Sequence, residues 1–187
     1  ANQPPLAGDR DHWQDDPLLR SHFAAGGALA SYGALMGSAA MRAAARDANR
    51  HGPELVLFDA GGRRLDEVHF HPAYHRFMEA SVTAGYHSLA WEGRADGHLR
   101  HAAMVYLASQ TEPGHCCPLT MTYAATPVLR RAEGLDGWAA GVLSRRYDPS
   151  VQPAGAKAGL TLGMAMTEKQ GGSDVRANAT RAVVDGA

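Results

Sequence analysis

The sequence predicts a mainly α protein: an N-terminal helical domain carrying one short β-hairpin, followed by the first strands of a β domain that the 187 residues leave truncated. Three observations predict it. Alanine makes up 35 of the 187 residues and crowds the stretch from Phe23 to Ala48, where small side chains let neighbouring helices approach closely. Apolar residues recur at helical spacing, punctuated by Pro and Gly, as far as Pro149. Past that point comes a Gly/Pro-containing linker over residues 150–159, and then short alternating segments. The expected division is residues 1–158 for the helical domain and 159–187 for the start of the β domain.

An extended arm is expected through Gln14, after which Asp16 caps a helix with Pro17 in its first turn, where the missing N–H costs nothing. Leu18, Leu19 and Phe23 should supply its inner side. One long helix is expected from Ala28 to Asn49, with Leu29, Tyr32, Leu35 and Met36 at helical spacing and His51-Gly52-Pro53 as its stop. Leu55–Phe58 and Leu65–Phe70 form a hairpin around Asp59-Ala60-Gly61-Gly62, residues that tolerate positive φ. Pro72 starts a helix whose Tyr74, Phe77 and Met78 face a core. His98 to Thr111, containing Leu99, Ala102, Ala103, Tyr106 and Leu107, fits another, stopped by Pro113-Gly114. Pro118 opens a further one. Leu160–Met166 and Thr180–Val184 read as strands joined by a Gly-containing loop, and two strands with unpaired edges are marginal. Further sequence is therefore expected beyond Asp185-Gly186-Ala187.

Composition narrows the class. Eighteen Lys and Arg against 19 Asp and Glu leave a net charge of -1, which argues against disorder and against a strongly basic nucleic-acid module. No apolar run reaches the roughly 18 residues of a membrane span, and the N-terminus shows no secretory signal. The adjacent Cys116 and Cys117 suit neither a disulfide framework nor a zinc site, so a reducing cytoplasm is the expected location.

The most specific chemical signal is the run Met164-Ala165-Met166-Thr167-Glu168-Lys169-Gln170-Gly171-Gly172-Ser173-Asp174-Val175. A strand entering a loop with two glycines, flanking hydroxyls and free backbone N–H groups can form an anion-binding concavity. The same spacing equally suits a plain Gly-Gly turn. It is neither a P-loop nor a dinucleotide fingerprint, since Gly-Lys-Ser/Thr and Gly-x-Gly-x-x-Gly are both missing.

This run resembles the flavin-binding signature Thr-Glu-x-x-x-Gly-Ser-Asp of the acyl-CoA dehydrogenase family, and its full form is similar to the AidB-like, adaptive-response branch of that family. Asn2–Pro5, Arg63–Val68, Phe70–His75, Cys117–Pro127 and Arg146–Asp148 agree with that branch, so the likeness runs along nearly the whole chain. Lys169-Gln170 departs from the usual Pro-Gly and puts typical dehydrogenase substrates, not the flavin, in doubt. The resemblance implies FAD, with Met164 and Met166 against the flavin ring, Thr167 at its polar edge, and Gly171, Gly172 and Ser173 approaching the pyrophosphate. It implies α,β-dehydrogenation of an acyl-CoA-type thioester, with the carboxylate base in a C-terminal domain outside these residues. The isolated chain should then bind FAD weakly or not at all. The branch also implies a role in the response to DNA alkylation, with any DNA contact in that C-terminal part, and the family implies a homotetramer.

Other constellations have plainer readings. His69, His71 and His75 have metal-like spacing, but Pro72 interrupts their element, so His71 is expected to cap and His75 to pack or hydrogen-bond. Cys116 and Cys117 read as buried, inert thiols. Met121, Tyr123 and Thr126 sit where the family places a helix near the acyl site, with core packing as the default. Arg130-Arg131 and Arg145-Arg146 read as solvated basic pairs.

Overall fold

The computed structural model describes residues 2–3, 8–23 and 26–183; Pro4-Pro5 of the expected arm and the residues from Val184 onward lie outside them. Seven α-helices and one hairpin occupy this span: α1 (Pro17–His22), α2 (Ala28–Gly37), α3 (Ala39–Arg50), β1 (Glu54–Phe58), β2 (Arg64–His69), α4 (Pro72–Ala84), α5 (Gly97–Ser109), α6 (Cys116–Leu129) and α7 (Asp136–Leu143). Helix α2 packs on α5 and α3, α3 on α4, and α6 on α7. The core between them holds Leu29, Tyr32, Met36, Met41, Phe77, Met78, Tyr86, Met104, Leu107 and Leu119. Among the described residues no helix is long and apolar enough to cross a membrane.

Local chemistry sets most boundaries. Asp16 accepts the amides of Leu18 and Leu19 at 2.9 and 3.0 Å, capping α1 as expected. Leu18, however, points to solvent: Leu19 and Phe23 are four apart and share the inner stripe, and Leu18 lies a quarter-turn away. The arm is not extended throughout. Residues 12–15 turn back, and Trp13 is driven into the core.

The single helix expected from Ala28 to Asn49 is two. Ser38 is extended at φ -64° and ψ 149°, and its hydroxyl accepts the Met41 amide at 3.2 Å as the N-cap of α3. The cause is tertiary: the N-terminal segment crosses at Gly37, where the Arg10 amide bonds the Gly37 carbonyl at 3.1 Å. A side chain there would place Cβ 2.4 Å from the Arg10 oxygen.

The hairpin pairs Leu55 with Val68 in antiparallel register, with an irregularity between Val56 and Phe58. Asp59 closes its turn by accepting the Gly61 and Arg63 amides, each at 2.9 Å. His71 caps α4 through the Ala73 amide at 3.2 Å, as expected, and stacks on His51 at 4.7 Å. Helix α6 opens two residues before Pro118, because the Glu112 carboxylate accepts the Gly114 and His115 amides at 2.7 and 2.8 Å. Near its end Pro127 has no N–H for the Tyr123 carbonyl, which instead accepts the Trp91 indole N–H at 3.1 Å. Helix α7 was not anticipated, since Gly137 and Gly141 depress its helical signal.

Residues 160–166 form no ladder. They keep the period of two expected of a strand, but the groups that accept the Leu160, Leu162 and Met164 amides belong to helices. Residues 180–183 likewise carry no strand.

Candidate functional site

The Met164–Ser173 run lies on the helical layer and then folds into a closed loop. The Leu160 amide bonds the Gly141 carbonyl at 3.0 Å, the Leu162 amide the Thr122 hydroxyl at 2.9 Å, and the Met164 amide the Met121 sulfur at 3.2 Å. Gly141 permits this approach, because a Cβ there would sit 2.6 Å from Leu160 Cδ1. Past Met166, the amides and carbonyls of Glu168 and Gly171 pair reciprocally at 3.1 Å.

Glu168 organises the loop. Its carboxylate accepts the amides of Ala179 and Thr180, both at 2.8 Å, and the Gln170 side-chain amide. The Asn178 side-chain amide donates to the Met166 carbonyl at 2.8 Å. Asp174 accepts the Arg176 amide at 3.2 Å and starts a 3-10 turn over Val175–Ala177. The hydrogen bond from the Thr180 side chain, then the Ala179 and Thr180 amides, pull the Glu168 pKa from 4.5 to about 2. A depressed carboxylate contributes closure above its unfolded pKa and loses it as pH falls from 4.5 toward about 2. Amide exchange at Ala179 and Thr180, corrected for intrinsic rates, is therefore expected to accelerate across that window. Protection independent of pH there would contradict the assignment.

Of the six predicted residues, Gly171, Gly172 and Ser173 line a cavity of about 370 Å³ with Gln170, Asp174, Ala177 and Asn178. Thr167 stands beside it; a Cβ on Gly172 would meet Thr167 Cγ2 at 2.7 Å. Met164 and Met166 stay outside the cavity, 48% and 58% exposed, on the strip leading to it. Two thioether side chains offered to a flat apolar surface, next to a glycine cradle and a serine hydroxyl, fit the ring and pyrophosphate of a flavin dinucleotide. Glu168 and Asn178 were not singled out by sequence reasoning, because their roles depend on partners 11 or 12 residues away.

The remaining candidates separate. His69 pairs with Glu67 at 3.1 Å, His71 caps α4, and His75 bonds the Tyr147 hydroxyl at 2.7 Å, so the three histidines serve three partners. Burial pushes the Cys116 thiol up to about 11, consistent with an inert thiol, whereas Cys117 is exposed and departs from the expected buried pair. Tyr123 stacks on His101 at 3.8 Å, and Thr126 is fully buried with its hydroxyl donating to the Thr122 carbonyl at 3.1 Å. Arg145 pairs with Glu92 and Arg130 donates to the Trp91 carbonyl at 2.9 Å, so neither pair is purely solvated.

One constellation was missed altogether. Ser81 Oγ lies 2.9 Å from His115 Nε2, and His115 Nδ1 lies 2.8 Å from Glu112, which is nucleophile, base and carboxylate order. The serine is fully buried and its oxygen is also engaged by Tyr32, so no substrate reaches it. The arrangement is structural.

Residues 2–149 match the family model of the adaptive response protein AidB N-terminal domain. AidB of Escherichia coli (strain K12), assigned by name to the acyl-CoA dehydrogenases, is 49% identical over 158 residues, covering 82% of this chain and 29% of that protein. Among solved structures, the apo form of Bd2924 has a TM-score of 0.71 at 26% identity, covering 92% of this chain and 36% of that one. Caenorhabditis elegans ACDH-11 in complex with C11-CoA has a TM-score of 0.73 at 24% identity, covering 96% of this chain and 32% of that one, and shows the shared fold. The chain thus spans about a third of the length of these relatives. With the family model matched from residue 2 to residue 149 and half of the aligned positions shared with AidB, the chain belongs to the AidB-like branch of the acyl-CoA dehydrogenases, as its N-terminal portion.

Proposed function

We propose that this chain is the N-terminal part of an FAD-dependent oxidoreductase that dehydrogenates an acyl-CoA-type thioester between its α and β carbons. The observation that carries the reading is the Met164–Ser173 run, with exposed thioethers leading into a glycine-lined cavity on a loop that Glu168 ties together. In this reading residues 1–158 are the helical domain and residues 159–187 open the flavin-binding β domain. Met164 and Met166 would hold the ring and keep water from it, and the Thr167 hydroxyl would bond its polar edge. Gly171 and Gly172 would admit the pyrophosphate to the backbone, and Ser173 would donate to its oxygens. FAD, when bound, supplies the acceptor for the hydride leaving the β-carbon. The base for the α-proton comes from sequence outside these 187 residues. Cytoplasmic location and a homotetrameric parent belong to the same reading.

FAD titration tests it. The 187-residue chain is expected to bind FAD weakly or not at all, while a polypeptide extended past Ala187 to the length of its relatives takes up one FAD with its visible absorbance. Gly172→Val in the extended form is expected to weaken uptake at least tenfold, since its side chain would fill the cradle against Thr167. Tight FAD binding by the short chain, or no flavin in the extended one, would overturn the proposal.

The match to an adaptive-response family favours a second reading, a DNA-associated flavoprotein with little dehydrogenase turnover. It requires salt-dependent affinity for duplex DNA in the extended polypeptide. Affinity without salt dependence, or none, would exclude it.

A further inference from the structure

Alternate amides tie the strip before the candidate flavin loop to the helical layer, and two of these ties are made to side chains. Leu160 is held by a backbone carbonyl of α7 and Met164 by a thioether, a weak acceptor. Between them the Leu162 amide meets the Thr122 hydroxyl at 2.9 Å, across 40 residues of sequence. Thr122 is completely buried, and its proton is spent on the Pro118 carbonyl at 2.8 Å, one helical turn back. The hydroxyl oxygen is thereby turned away from its own helix with a lone pair free to accept. Thr126, one turn on, is equally buried and also donates backward, to the Thr122 carbonyl. Among the described residues its hydroxyl bonds within α6 alone.

We propose that Thr122 is a positioning residue for the flavin-binding strip, holding the register in which Met164 and Met166 face the ring. This rests on the flavin reading of Met164–Ser173. The physical reason is the period of two: a one-residue slip of an extended segment moves every side chain to the opposite face. Such a slip would present Ala165 in place of the two methionines. Leu162 sits two residues before Met164 and four before Met166, so the tie at Leu162 sets both.

The test uses Thr122→Val, which keeps the shape of threonine and removes the acceptor, beside Thr122→Ser, which keeps the hydroxyl. Thr126→Val is the control for losing a buried hydroxyl in the same helix. Amide exchange in the 187-residue chain is the first readout. Thr122→Val is expected to speed exchange at Leu162 and Met164 by tenfold or more relative to the α5 amides, with Thr122→Ser near the parent and Thr126→Val without that local effect. In the extended polypeptide, Thr122→Val is expected to weaken FAD binding about tenfold and shift the bound-flavin spectrum, with rescue by serine. Unchanged exchange at Leu162 in Thr122→Val, or the same acceleration in Thr126→Val, would overturn the role of Thr122. Absence of flavin from the extended parent would instead overturn the reading on which it rests.

Discussion

Trp13→Ala is expected to cost about 3–5 kcal/mol of unfolding free energy, the usual toll for deleting a fully enclosed large aromatic. Trp13 is 3% exposed, packs on Phe23 with ring centroids 6.0 Å apart, and occupies space that two glycines leave open. A Cβ on Gly26 would stand 2.8 Å from the indole, and one on Gly33 2.8 Å from Trp13 Cβ. Helices α2 and α5 pack on each other, and the cost of the vacancy depends on how far such packing lets its walls close. Backbone bonds hold the same segment down, from Arg10 to Gly37 and from His12 to Gly33 at 3.1 and 3.3 Å. Urea unfolding followed by circular dichroism checks the cost, with Trp91 and Trp138 still present as fluorophores. A loss below about 1 kcal/mol would mean that residues 8–15 dock on the folded domain without being part of its cooperative unit.

That residue also marks the boundary of what was legible in the chain. Trp13 is a lone aromatic among charges, with no periodicity to announce its burial, and its pocket is made of absent side chains at Gly26 and Gly33. The break at Ser38 was hidden for a related reason: the apolar spacing on either side is helical, and only the crossing backbone at Gly37 interrupts it. Capping chemistry was readable where it is local, as at Asp16 and His71, and so was the Asp59–Gly62 turn. The strand expected at Leu160–Met166 kept its alternation without its ladder, because Gly141, Thr122 and Met121 take the place of a neighbouring strand. At the candidate site the six residues came from a motif. The carboxylate that closes their loop became evident only when Ala179 and Thr180 were placed against Glu168.

Ser81→Ala is expected to destabilise by about 2–5 kcal/mol, far more than one hydroxyl contributes on its own, because it orphans two buried groups at once. The Tyr32 hydroxyl lies 2.6 Å from Ser81 Oγ, and His115 Nε2 lies 2.9 Å from it on the other side. With His115 in its Nδ1–H tautomer the donors run one way: Tyr32 to Ser81, Ser81 to His115, His115 to Glu112 at 2.8 Å. Burial alone would push the Glu112 carboxyl up. The hydrogen bonds from the His115 ring and from the His115 and Gly114 amides outweigh it and hold the group below its usual value. The chain joins α2, α4 and the loop that caps α6, so removing its middle member leaves a donor on one helix and an acceptor at the start of another. Tyr32→Phe removes the first donor and leaves no orphan on the phenylalanine, so it should cost about 1 kcal/mol. In the double variant the orphaned Tyr32 hydroxyl no longer exists, and the pair should be less destabilised than the sum of the singles by about 1 kcal/mol or more. Denaturant midpoints of the three variants decide the matter. Strict additivity would mean that Tyr32 and His115 find other partners when Ser81 is lost, and that the network is a set of separate bonds rather than one directed chain.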